Sequence, residues 1–216
     1  MIKKYKYLKE LIDRYPNLEV CQNDIIAAYL LIEDCYSNKG ILLVAGNGGS
    51  ASDALHIVGE LMKGFILSRP VNKNILNKLN QQSPHFEYLK ENLQMPLSAI
   101  ALVSEIALTT AYSNDVAPDL IFAQQVLGYA KKENVFLGIS TSGNSKNIIY
   151  AAEVAKSLNI KVIGLTGESG GEMAYISDVC IKVPEIETFK IQELHLPIYH
   201  AICLELENKF FGMQQF

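Results

Sequence analysis

No stretch of this 216-residue chain is both long and apolar, which removes membrane-spanning helices from consideration. The hydrophobic runs stop after a few residues, well short of the ~20 that a spanning helix requires. The N-terminus, Met1-Ile-Lys-Lys-Tyr-Lys-Tyr7, lacks the apolar core of a secretory signal, so a cytoplasmic protein is expected. Positive charge is also scarce. With 19 Lys and Arg against 23 Asp and Glu, the net charge is −4, which argues against a nucleic-acid surface. The four cysteines (Cys21, Cys35, Cys180 and Cys203) show no C-x-x-C spacing. They encode neither a thiolate zinc site nor a disulfide framework, and read as reduced, mostly buried thiols. Tryptophan is missing, an absence that decides nothing. Two nucleotide signatures are missing as well: Gly46-Asn-Gly-Gly-Ser50 has no third glycine for G-x-G-x-x-G, and no Gly-Lys-Ser/Thr loop occurs.

What is present is the composition of a folded protein, 49% hydrophobic and 19% charged, with length enough for one domain and a substantial core. Ile2, Tyr5, Leu8, Leu11 and Ile12 recur at helical spacing and stop near Pro16. A second helix is expected from about Leu18 to Tyr36, ended by Asn38-Lys39-Gly40. Five short apolar runs follow, at Ile41–Ala45, Ala99–Val103, Val135–Ser140, Lys161–Leu165 and Val179–Val183. They are continuous rather than alternating, as in a parallel sheet covered on both faces. Helical segments separate them, at Ala51–Gly64, Glu105–Tyr112, Ala117–Gly128, Asn144–Leu158 and Gly171–Ile176, and a last one runs from about Phe189 to Phe210. The pattern predicts an α/β fold: a doubly wound five-stranded parallel sheet of flavodoxin-like order 2-1-3-4-5, with two leading helices (1–38) and a long C-terminal helix. No repeat or linker stands out, so 1–216 is expected to be a single domain. Residues 65–96 are polar, rich in Asn, Gln and Lys between Asn72 and Gln82, with a short helix expected near Phe86–Leu93. An excursion this long is either a functional lid or an ordered insertion.

Three places could carry chemistry. The turn Gly46-Asn47-Gly48-Gly49-Ser50 joins a buried strand to a helix whose N-terminus can hold an anion; His56 and Glu60 follow one turn apart on one face of that helix. The second turn, Ser140-Thr141-Ser142-Gly143-Asn144-Ser145, sets four hydroxyls around a glycine where a helix begins. One N-cap explains one hydroxyl, not four, so this turn reads as a phosphate site. The last helix carries Gln192 and His200 just over two turns apart, with Glu193 and His195 competing for the same role and Pro197 predicting a kink or a late helix start. A lone histidine on an apolar helix is usually a packed residue. His56, Glu60 and His200 together suit a divalent metal with an open position, or an acid/base pair.

The motifs Gly46-Asn-Gly-Gly-Ser50, Asp53-Ala-Leu-His56, Glu60, Asn114-Asp115, Gly138-Ile-Ser-Thr-Ser-Gly-Asn-Ser145, Leu165-Thr-Gly167 and Ile191-Gln-Glu193 through His200 resemble the bacterial phosphoheptose isomerases over almost the whole chain. Those proteins have a single sugar-isomerase (SIS) domain and convert sedoheptulose 7-phosphate to D-glycero-D-manno-heptose 7-phosphate for surface glycans. The resemblance implies one Zn2+ per subunit at the positions of His56, Glu60, Gln192 and His200, with Glu60 and His200 as the catalytic base and its partner. It further implies sugar-phosphate contacts at Asn47, Gly48, Ser50, Asn114, Asp115, Ser140, Thr141, Ser142, Ser145 and Gln192. A phosphorylated seven-carbon sugar would be the substrate, and a homotetramer the assembly.

This chain departs from the pattern in two places: the 65–96 excursion is long, and Thr188-Phe189-Lys190 stands where some members carry an aspartate. Both touch parts that shape the substrate. Two other readings share the fold. A binding-only module related to the replication-initiator-associating type would lack the acid/base residues that this chain keeps at Glu60 and His200. Isomerases of other sugar phosphates, such as arabinose 5-phosphate, usually carry extra regulatory domains for which this chain has no room. Transcriptional regulators with this domain need a DNA-binding module, and residues 1–40 are too short and too weakly basic for one.

Overall fold

The structure is a computed structural model that describes residues 2–212. After a short 3-10 turn come α1 (Lys6–Arg14), a 3-10 segment (Pro16–Cys21) and α2 (Gln22–Ser37). The expected start of α2 near Leu18 moves to Gln22 because Pro16 nucleates a tighter turn first. At the stop after α2, Lys39 takes the left-handed conformation (φ 61°) and Gly40 donates its N–H back to Cys35. Gly40 is needed for closeness rather than for its φ: a Cβ there would meet the Glu133 carbonyl oxygen at 2.0 Å.

The remaining elements are β1 (Leu42–Gly46), α3 (Gly49–Met62), α4 (Lys73–Leu76), α5 (Phe86–Asn92), β2 (Ala99–Ala101), α6 (Ile106–Asp115), α7 (Ile121–Gly128), β3 (Val135–Ile139), α8 (Lys146–Ser157), β4 (Lys161–Thr166), α9 (Met173–Ile176), β5 (Val179–Lys182) and α10 (Thr188–Phe211). All strand pairs are parallel, in the order β2-β1-β3-β4-β5 that the sequence predicts. β2 is shorter than its apolar run because Leu102–Ser104 coil into a 3-10 turn.

Alternation along the strands splits the core in two. Leu42, Val44, Leu137, Ile139, Ile163 and Leu165 face α1, α2, α3 and α10. Leu43, Ala45, Phe136 and Val162 face α7 and α8. The first of these faces sets α3, which follows β1, beside α10 at the end of the chain.

α10 runs unbroken for 24 residues through Pro197, so the helix does not start late. The ring withholds only the N–H that Glu193 would otherwise receive. The 65–96 excursion is an ordered insertion with a pinched base. Pro70 and Gln94 form an antiparallel bridge, Met95 donates to the Arg69 carbonyl at 2.7 Å, and Gly64 donates to the Gln94 side chain at 2.6 Å. α4 and α5, within it, bury no residue.

Below that base lies an ion pair that no local sequence pattern signals. Arg69 and Glu207 both have fully buried side chains, 2.7 Å apart. Glu207 also accepts the N–H groups of Phe65, Ile66 and Leu67, at 2.7, 2.9 and 3.0 Å. Arg69 spends its other donors on the Leu61 and Glu60 carbonyls, at 2.8 and 3.4 Å. The C-terminal carbonyls of α3 are thereby capped by a side chain that is itself tied to α10.

Candidate active site

The chain leaves β1 for β2 on one side and then returns across the sheet to β3 on the other. The carboxyl ends of β1 and β3 therefore flank the point where winding reverses, where open α/β sheets hold ligands. A cavity of about 300 Å³ opens there, walled by Asn47, Ser50, Ser140, Thr141, Ser145 and Gln192, with the backbone of Gly48 and Gly49 at its rim. Six side chains that the sequence nominated from three separate segments thus meet around one space. The N-termini of α3 and α8 adjoin it, adding the partial positive charge of two helix ends.

Close backbone approach shapes the first turn. Gly48 sits at φ 54°, and a Cβ on Gly49 would come within 2.5 Å of the Gln192 amide nitrogen. α10 is pressed against the start of α3 at this point. Asn47 and Asn147 exchange two amide hydrogen bonds of 2.9 Å, tying the first turn to α8. In the second turn the Ser140 and Ser145 hydroxyls lie 3.0 Å apart, and Ser140 is buried. Gly143 adopts φ 68° with the Gly170 carbonyl oxygen 2.0 Å from where a Cβ would stand. The turn is braced from outside: Gly167 donates to Thr141, Met173 to Gly143 and Glu172 to the Asn144 side chain. Ser142 points the other way, receiving the Asn144 N–H at 3.2 Å and lining a neighbouring depression with Glu168 and Glu185.

A second cluster lies along the α3–α10 seam. His56 Nε2 is 3.3 Å from Glu60 Oε1 and 3.5 Å from His200 Nε2. The His56, Tyr199 and His200 rings pack edge-on around one another, with centroids 4.9 to 5.5 Å apart. Burial, then the neighbouring His56, holds His200 below the ordinary imidazole range, although Glu60 pulls it back up. Glu60 turns its other oxygen to Lys63, at 3.2 Å. His200 and Glu193 border a further cavity of about 240 Å³ between α1 and α10, with Tyr7, Glu10 and Arg14.

The donor set suits zinc in kind: two imidazoles and a carboxylate on one seam. Zn–N and Zn–O bonds of ~2.0–2.1 Å separate tetrahedral ligands by roughly 3.3 Å, and two of the three edges here are close to that. The third edge is not closed. Glu60 leans to Lys63, and among the described residues no group of three or more His, Cys, Asp or Glu is fully assembled to hold a metal. Gln192 stands at Gly49, eight residues and about 12 Å along the helix axis from His200.

Other nominated residues lie elsewhere. Asn114 and Asp115 end α6, hydrogen-bonded to each other at 2.8 Å, exposed and on no wall of these cavities. His195, a competitor of Gln192 and His200 in the sequence, is wholly buried beneath the site with Nε2 3.3 Å from the Thr166 carbonyl. Burial depresses it to about 4, against the pull of that carbonyl, so it is a neutral packing residue at pH 7. Sequence reasoning missed Tyr199, Asp53 and Asn147 as participants. The only signal for the first two was their place inside motifs already singled out, Asp53 opening one and Tyr199 preceding His200 in another.

A family model described as the SIS domain matches residues 89–167. Phosphoheptose isomerase 2 of Campylobacter jejuni is 41% identical over 185 residues, covering 86% of this chain and 80% of its own. The phosphoheptose isomerase of Helicobacter pylori is 36% identical over 208 residues, covering 96% and 94%. Among solved structures, the phosphoheptose isomerase of Neisseria gonorrhoeae superposes with a TM-score of 0.73 at 31% identity, over 93% of this chain and 94% of that one.

Proposed function

This chain belongs to the phosphoheptose isomerase family, and from that premise we propose the reaction and the residues that carry it out. The chain is a ketose–aldose isomerase that converts sedoheptulose 7-phosphate to D-glycero-D-manno-heptose 7-phosphate. The observation that carries the site assignment is the single cavity at the switch point, walled by Asn47, Ser50, Ser140, Thr141, Ser145 and Gln192, with His56, Glu60 and His200 farther along the same two helices.

In this reading the Ser140–Ser145 turn and the α8 N-terminus grip the phosphate, while Asn47, Gly48, Ser50 and Gln192 orient the sugar. Glu60 removes the proton from C1 of the ketose, the enediolate forms, and the proton returns at C2. His200 moves the proton between the two oxygens, leaving the carbonyl at C1. His56, Glu60 and His200 would hold Zn2+, with Gln192 the fourth donor that the family pattern implies. When bound, the metal supplies a Lewis acid for the sugar's carbonyl oxygen.

Several further features belong to the same proposal. One SIS unit spans 1–216 rather than only the matched 89–167, supported by a sheet whose strands fall on both sides of that segment's start. A homotetramer is supported by α6, which buries no residue and exposes Ile106 and Leu108 beside the exposed Val116 that follows it. Assembly would be what brings Asn114, Asp115 and Ser142 to a sugar. A cytoplasmic enzyme of surface-glycan synthesis fits a phosphorylated substrate; among the described residues no helix is long and apolar enough to cross a membrane.

The test is to incubate the zinc-supplied protein and Glu60→Gln with sedoheptulose 7-phosphate and measure aldose formation. Wild type should turn over and the variant should lose about 10²–10⁴-fold in kcat, the usual contribution of a placed acid/base. Near wild-type activity in Glu60→Gln would sink the assignment of the base. Absence of product from wild type would sink the substrate.

A further inference from the structure

Behind His56 lies a hydrogen-bond chain that the proposed chemistry does not use. Tyr199 is buried on α10, and its hydroxyl donates to Asp53 Oδ1 on α3 at 3.2 Å. The Tyr199 hydroxyl oxygen itself lies 3.0 Å from His56 Nδ1. The other Asp53 oxygen, Oδ2, is buried and has no hydrogen-bond partner among the described residues. Asp53 is thus a partly buried carboxylate that the Tyr199 hydroxyl serves on the inner side of the seam.

The proton count decides the rest. A phenol has one proton to give. Given to Asp53, it makes a charge-assisted bond roughly twice as strong as a neutral one; given to His56, it would leave the carboxylate without that donor. With the proton on the Asp53 side, the hydroxyl oxygen can only accept, so His56 Nδ1 must be the donor. A neutral imidazole protonated at Nδ1 is bare at Nε2, and Nε2 is the atom that faces Glu60 and His200.

We propose that Tyr199 and Asp53 are positioning residues that lock His56 in its Nδ1–H tautomer, presenting an unprotonated Nε2 to the Glu60–His200 cluster. The inference rests on the site reading above and deepens it. It explains why a tyrosine hydroxyl is buried at the α3–α10 seam with its ring packed edge-on against two imidazoles. It also makes the His56 end of the cluster ready for a cation before any cation arrives. Without the lock, His56 could place its proton on Nε2 and donate it to Glu60, closing the position that a metal or a shuttled proton must use.

The experiment uses metal-free protein with 15N-labelled histidines, and long-range proton–nitrogen spectra that distinguish the two tautomers, His56 being assigned by its loss in His56→Gln. In wild type, His56 should be protonated at Nδ1. Tyr199→Phe keeps the ring packing and removes only the hydroxyl, and His56 should shift toward the Nε2–H form. Asp53→Ala should do the same without touching His56, because the freed hydroxyl turns to donate to Nδ1. Asp53→Asn keeps an oxygen acceptor and should restore the wild-type spectrum. Zinc affinity, read by chelator competition, should fall about 10–100-fold in Tyr199→Phe and Asp53→Ala, as when an outer partner of a metal-ligating histidine is lost. An Nδ1–H His56 that persists in Tyr199→Phe overturns the proposal, as does an unchanged zinc affinity in a variant whose tautomer has shifted. If zinc leaves the wild-type His56 signal untouched, the metal reading fails instead, while the metal-free spectra still test the tautomer.

Discussion

Replacing Arg69 by Met tests whether the seam of the site is held by charge or only by packing. The variant keeps an unbranched side chain of similar length and loses four things. They are the 2.7 Å bond to Glu207, the bonds to Leu61 and Glu60 at the end of α3, and the stacking of the guanidinium 4.8 Å over the Phe211 ring. Breaking a buried ion pair by removing one partner typically costs about 3–5 kcal/mol, because a charge is left buried without its counterion. Here Glu207 keeps three backbone N–H donors, so the lower end applies and about 3 kcal/mol is expected. For a chain of this size that is a loss of about 6–12 °C in Tm. Burial pushes the Glu207 carboxyl up, but the Ile66 and Phe65 N–H groups and the Arg69 guanidinium outweigh it and hold it below the ordinary range. A carboxyl depressed in the folded state stabilises it above the unfolded value of about 4.3, and that contribution disappears as pH falls through the folded value. The gap between wild type and Arg69→Met should therefore be widest near pH 7 and narrow on acidification below about pH 4. Urea unfolding at one fixed protein concentration, at several pH values, reads both quantities. A gap under about 1 kcal/mol at pH 7, or one that widens in acid, would refute the view that this pair stabilises the fold through charge.

Two further outcomes follow from close contacts and burial. Gly143→Ala must accept a left-handed backbone, costing ~1–2 kcal/mol, and a Cβ 2.0 Å from the Gly170 carbonyl, so the hydroxyl turn shifts. Steady-state kinetics should show KM for the sugar phosphate raised about tenfold or more, whereas an unchanged KM would remove the turn from the phosphate grip. Burial pushes Cys21 up to about 11 and Cys35 and Cys203 up to about 12, so these thiols should resist a disulfide reagent at pH 8 until denaturant is added. Stoichiometric labelling of the three in the native protein would contradict their placement in the core.

The parts legible in the sequence are those that a local pattern encodes. Continuous apolar runs specified strands covered on both faces, and the five strands align in the anticipated order. Glycines at 46, 48 and 49, and hydroxyls around Gly143, marked turns that depend on backbone shape, and residues of both turns line the switch-point cavity. Boundaries slipped where a tighter turn competes with the regular element, at Pro16–Cys21 before α2 and at Leu102–Ser104 after β2. Direction was harder. Ser142 and Ser145 are both hydroxyls of one turn, yet the positive φ of Gly143 sends them to different cavities. Arg69 and Glu207 lie 138 residues apart, the first at the edge of a polar excursion, and nothing in either neighbourhood announces a fully buried pair. A buried charge is legible only with its partner, and its partner only from tertiary structure.

The two halves of the site are separated by more than a hundred residues because the fold needs two helices on the same face of the sheet, one leaving β1 and one ending the chain. Their alignment is what the chemistry requires. Gly49 meets Gln192 at one end of the seam and His56 meets Tyr199 and His200 farther along, so α3 and α10 run in the same direction and any slide would displace both contacts together. Three features oppose such a slide. Gly49 and Gln192 interlock at the start, the Asp53–Tyr199–His56 chain pins the middle, and Glu207, through Arg69, holds the end of α3. Apolar burial is non-directional, so by itself it defines the axial register of two parallel helices less sharply than directional bonds do. The polar contacts along this seam therefore favour the register in which His56 of α3 meets His200 of α10.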